Sequence, residues 1–150
     1  MARAIELALD NVRSGRGGPF ATLIVKDGRI VSTGTNQVTS CGDPTAHAEI
    51  VAIRAACAAL GSFQLNGCDI YTTCEPCPMC FGAIYWARPA RVFFGATARD
   101  AADAGFDDGF IYQQLAVNFT ERRIPFVEVS RDEALACFRE WKAHPDRIKY

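Results

Sequence analysis

The chain has 150 residues, 49% hydrophobic and 22% charged, the profile of one globular domain able to bury roughly 70% of its unfolded surface. Disorder is excluded. Sixteen basic against seventeen acidic residues leave a net charge of −1, which offers no general attraction to nucleic-acid phosphates or anionic lipid and favours a small or neutral partner.

The first segment, "RAIELALDNVRSG", sets Ala4, Leu7, Ala8 and Val12 near helical spacing, with Gly15 to close the helix. It begins almost at Met1 with no capping residue, so the native start is expected a little upstream, which mass spectrometry of the natural protein would test. "ATLIVKDGRIVSTG" reads as a β-hairpin, because Asp27-Gly28 suits positive φ at both turn positions. A second helix follows, with Asp43 as cap, Pro44 in the first helical position and Gly61 past its end. "CDIYTTC" is a short buried strand, "PCPMCFGAIYWA" a helix with Pro76 at its first position, and "RVFFGA" another strand. "DGFIYQQLA" reads as a short helix, "IPFVEVS" as a last strand and "RDEALACFREWKAH" as a last helix, before the tail "PDRIKY". Strands alternating with helices predict a sheet with parallel members, covered by helices on both faces. No linker, repeat or boundary divides residues 1–150. No apolar run approaches the roughly 18 residues of a membrane span, and with charges at Arg3, Glu6 and Asp10 interrupting the N-terminus no signal peptide is expected. The expected location is therefore cytoplasmic.

Seven cysteines, at 41, 57, 68, 74, 77, 80 and 137, crowd the middle of the chain without the pattern of a disulfide scaffold. In a reducing cytosol such a cluster points to metal or catalysis. Cys77 and Cys80 lie three apart at a predicted helix start, so both sulfurs project to one side, and the partial positive charge there favours thiolates. His47, at its own helix start, supplies a third donor. Three protein ligands suit a catalytic zinc, whereas a structural zinc is normally closed by four. A zinc-activated water still needs a proton carrier, and Glu49 is the natural one. Regular helix geometry leaves open how His47 and Glu49 reach one site, since residues i and i+2 do not share a face.

"HAE" with "PCPMC" matches the signature of zinc nucleobase deaminases. From the hairpin through the last strand, the sequence resembles the cytidine deaminase-like superfamily. That resemblance implies a three-layer α/β/α fold with a five-stranded mixed sheet and helices on both faces. Within it, "GGPFATLIVKDG", "DPTAHAEI", "TTCEPCPMCFGAIYWARP" and "DAGFDDGFIY" resemble the small bacterial guanine deaminases, as does the terminal tyrosine. The first three stretches are shared in looser form with tRNA adenosine deaminases; the fourth discriminates.

The resemblance implies attack of zinc-activated water on C2 of guanine, with Glu49 moving protons to N3 and to departing ammonia. It implies that Asn36 hydrogen-bonds the base, Phe20 stacks on it and Trp86 lines the pocket. Asp108 is similar to an acid that assists proton movement or holds the guanine edge. It also implies a homodimer whose C-terminal segments exchange, each Tyr150 closing a partner's site. The partner is then a purine base, with nucleic acid and membrane not expected.

Blander readings stand beside these. His47 alone reads as a satisfied structural histidine, Phe20 as core, Asn36 as a turn residue, Asp107 and Asp108 as solvated acids, and Tyr150 as a frayed terminus. Cys74 makes "CEPCPMC" a triple-cysteine run, but Ile84 and Tyr85 stand where an iron-sulfur run needs cysteine and proline. Cys74 could instead close a structural zinc site without catalysis. The rival activities are tRNA adenosine deamination and cytosine or cytidine deamination.

Overall fold

Asp27 and Gly28 both take positive φ, 49° and 74°, and join strand β1 (Ala21–Lys26) to β2 (Arg29–Thr35) in the expected two-residue turn. In the computed structural model, which describes residues 1–150, this hairpin forms half of a four-stranded sheet. Strand β3 (Cys68–Cys74) lies antiparallel to β1, and β4 (Arg91–Ala96) runs parallel to β3, giving the order β2-β1-β3-β4. The sheet is mixed, as expected.

Helix α1 (Ala2–Arg13) packs on β1 and β3. Its buried stripe is Ala4, Ala8 and Asn11, while Val12 is exposed, so the helix is turned about one position from the apolar face read in the sequence. An asparagine, not a valine, faces inward. Helices α3 (Ala48–Leu60) and α4 (Pro78–Ala87) enclose the main core, where Ile24, Ile70, Leu65, Ala52, Ala56, Ile84 and Ala87 meet. Full burial of residues such as Ile24 and Ile70 is worth roughly 1.5–3 kcal/mol each. Leu23 alternates with Ile24 and points to the opposite face, where it is also buried. Gly34 lets β2 press against α3: a Cβ there would collide with the carbonyl oxygen of Ala48 and lie 2.6 Å from the Ala52 nitrogen.

The second helix begins at Ala48, not near Pro44. Asp43 Oδ1 instead accepts bonds from the Thr45 nitrogen (2.8 Å) and hydroxyl (2.7 Å), a local turn that competes with helix. Upstream lies a four-residue helix, α2 (Val38–Cys41), that periodicity did not suggest. Likewise Pro78, not Pro76, takes the first position of α4. Helix α5 (Ala98–Asp103) was also unforeseen, although the Thr97–Asp100 capping box that starts it is a sequence signature.

The chain divides into two compact units, residues 1–109 and 110–150. The second holds nearly all of α6 (Gly109–Ala116), a 3₁₀ turn at Phe119–Glu121 and α7 (Arg131–Ala143). No residue of it is buried, and the Arg122 guanidinium lies 4.5 Å and 4.7 Å from the rings of Phe119 and Phe126. The predicted fifth strand is absent. Ile124–Ser130 carries an apolar β-type pattern, yet it joins no ladder, and Ile124, Phe126, Val127 and Val129 are exposed. Side-chain pattern alone does not make a strand; the backbone needs a hydrogen-bonded neighbour, and Pro125 removes one donor. No helix is long and apolar enough to cross a membrane.

Candidate active site

His47 and Cys77 each occupy the N-cap of a helix with extended backbone, ψ 155° and 167°. The chain is therefore still outside the helix at His47 and inside it at Glu49, which removes the difficulty of placing residues i and i+2 of one helix at a common site. Cys80, three residues after Cys77, lies within the first turn of α4.

These starts bring three donors together. His47 Nδ1 is 3.5 Å from Cys77 Sγ and 3.6 Å from Cys80 Sγ, and all three ligand atoms lie within 4.8 Å of one another. Nitrogen and sulfur donors bound tetrahedrally to zinc at its usual bond lengths lie about 3.6 Å apart, so the donor set fits that ion. Cys74 does not join them. Its thiol points to the Thr97 carbonyl oxygen at 3.5 Å, and burial, with the nearby charge of Glu49, pushes it up to about 11. The cluster therefore has the three-donor composition of a catalytic centre, not the four of a closed structural one.

The two cysteines share their protons unequally. A hydrogen bond from Cys80, with His47 beside it, holds the Cys77 thiol down to about 4 against the opposing effect of burial. Cys80 is pushed up by its bond to the Cys77 thiolate and by burial. The Cys77 bond also raises His47.

Glu49 is only 6% exposed, and burial raises its carboxyl above the usual range. Its Oε1 accepts from the Thr72 hydroxyl at 3.0 Å, and Oε2 from the Cys80 thiol at 3.3 Å. Thr72 in turn accepts from Thr22 at 3.0 Å, its register partner across the sheet. This threonine relay was missed in the sequence; the available signal was a buried polar residue on each of two adjacent strands.

Asn36 is buried just after β2, with Oδ1 accepting from the Gly18 and Val38 nitrogens, each at 3.4 Å. Those bonds assign the amide orientation and leave Nδ2 as its donor. Phe20 is half-buried, its ring edge-on to Phe106 at 4.9 Å; Phe106 also went unnoticed in the sequence. Asp108 is half-buried and close enough to His47 and Cys77 to feel their charges: burial first, then the Cys77 thiolate, raises it. Trp86 lies on α4 and is 63% exposed, and Tyr150, in the second unit, is 69% exposed. Neither belongs to the donor cluster.

Residues 1–96 match the family described as the cytidine and deoxycytidylate deaminase zinc-binding region. The chain belongs to this deaminase family. It is 53% identical to the guanine deaminase of Bacillus subtilis over 150 residues, all of this chain and 96% of that one. The X-ray structure of that protein matches with a TM-score of 0.97, over 99% of this chain and 95% of the other. A tRNA-specific adenosine deaminase of Agrobacterium fabrum is 45% identical, but over 95 residues, 61% of this chain and 62% of that one. Membership in this deaminase family accounts for a zinc centre built from His47, Cys77 and Cys80 with an acid close by.

Proposed function

We propose that this chain catalyses the hydrolytic deamination of guanine to xanthine and ammonia. What carries the reading is likeness along the whole length to one guanine deaminase, where likeness to the tRNA enzyme covers only part of the chain. The near-neutral net charge also offers no general attraction to nucleic-acid phosphates.

His47, Cys77 and Cys80 would hold the zinc, which when bound would supply Lewis acidity and make water nucleophilic at neutral pH. Asn36 donates to the base and Phe20 packs on its face. Glu49 accepts a proton from water as the oxygen adds to C2 and delivers it to N3. It then carries the second water proton to the exocyclic nitrogen, the C2–N bond breaks, and ammonia leaves. Burial suits Glu49 to this traffic, because it raises the proton affinity of the carboxyl above that of an exposed glutamate. The Thr72 hydroxyl fixes which oxygen faces the reaction. Asp108 steers the guanine edge or the departing proton, and Trp86 lines the pocket.

The same reading includes a cytoplasmic homodimer in which the segment after Gly109 exchanges, so that Tyr150 closes a partner's site. Supporting it are the unladdered apolar run at Ile124–Ser130 and the exposed Phe93 and Phe94 on the edge strand β4. The seven unpaired thiols accord with a reducing compartment. A test of the activity offers zinc-loaded protein guanine, adenine, cytosine, cytidine and tRNA and measures ammonia. Guanine alone is expected to respond; release from tRNA or a pyrimidine but not guanine would reject the reading.

A further inference from the structure

Asn11 sits on α1 among Ala4 and Ala8, yet it is fully buried and polar. Its side-chain amide nitrogen donates to two carbonyl oxygens on separate segments, Gly18 at 3.0 Å and Asn36 at 2.9 Å. Both protons of that amide are thereby used. The same two segments are tied again at their other ends: the Gly18 nitrogen donates to Asn36 Oδ1, and the Asn36 nitrogen to the Phe20 carbonyl oxygen at 3.0 Å. Gly17 permits the approach, since a Cβ there would strike the Asn36 carbonyl oxygen and lie 3.0 Å from Asn11 Nδ2.

Asn11 therefore binds together the loop that presents Phe20 and the strand end that presents Asn36. A small apolar residue would fill this helix position at lower desolvation cost. The Asn11 Oδ1 atom accepts no bond from the protein, so the residue is poorly explained as generic packing. We propose that Asn11 is a positioning residue, setting the separation between the Asn36 amide and the Phe20 ring and so governing how tightly the base is held. The proposal rests on the guanine reading above for its substrate, and on the bonds alone for its geometry.

The test uses the zinc-loaded chain with Asn11→Ala and the near-isosteric Asn11→Asp, which keeps the shape and removes the two donors. Amide hydrogen exchange without substrate should rise about tenfold or more at Gly18, Asn36 and Val38, while Ile24 and Ile70 in the sheet stay protected. The KM for guanine should rise about tenfold with kcat changed less than about threefold and zinc unchanged, the pattern of lost ground-state binding. Combined with Asn36→Ala, the Asn11 change should raise KM by clearly less than it does alone, because one of the two contacts it positions is already gone. Uniform loss of protection, an unchanged KM, additive effects in the double variant, or loss of native fold in both single variants would each overturn the assignment and leave Asn11 a core residue. The exchange result stands apart from catalysis: a wild-type chain inert toward guanine rejects the substrate reading, while the protection pattern still decides whether Asn11 ties the two segments.

Discussion

His47 and Cys77 share a position, the N-cap of a helix, and an extended backbone, yet the residues that follow them serve different ends. At α4 the next chemical residue comes three later, and Cys80 joins Cys77 in the donor cluster. At α3 it comes two later, and Glu49 turns instead to Thr72 and to the Cys80 thiol. One residue of spacing thus separates a pair of ligands from a ligand and its neighbouring acid. The difference teaches that Glu49 stands beside the donor set and not in it, the arrangement that its proposed role as proton carrier requires.

Breaking the ligand set has the largest effect. Cys77→Ala or Cys80→Ala should drop zinc from about one per chain toward zero and abolish guanine turnover, read by elemental analysis and ammonia release. The proton inventory of this start sharpens the contrast. In the metal-free chain Cys77 is depressed to about 4 and already a thiolate at neutral pH, whereas Cys80 is raised and holds its proton, and the Cys77 bond draws His47 upward. Zinc must displace the Cys80 proton, so binding should release at least about one proton per ion and weaken as pH falls, measurable by calorimetry in buffers of different ionisation enthalpy.

At the other start, Thr72→Val removes the donor to Glu49 Oε1 while preserving shape. Turnover should fall about tenfold with zinc retained, and Thr22→Val, one step further along the relay, should cost less. The smallest change is Cys74→Ser: zinc content and turnover should stay within about twofold, since this sulfur faces Thr97 and not the cluster. A marked loss of zinc affinity would instead make it a fourth ligand.

The cluster of His47, Glu49, Cys77 and Cys80 was legible because these residues are recognised by type and by short spacing. Their supports were not. Thr72 reaches Glu49 across 23 positions, and Asn11 reaches Asn36 across 25, and no local pattern announces a partner that far away. The start of α3 was misplaced because Asp43 looks like a helix cap, while its carboxylate is spent on Thr45. The hairpin was readable from two residues; the absence of the expected fifth strand was not, because a strand is a relation between segments and Ile124–Ser130 supplies only one of them.

The division of labour between the helix starts is tested most directly by Glu49→Gln, with zinc content and guanine turnover measured on one preparation. The expected result is about one zinc per chain and turnover lowered roughly 10²–10⁴-fold. Near-normal turnover, or loss of the metal along with activity, would contradict it and place Glu49 among the ligands or outside the chemistry.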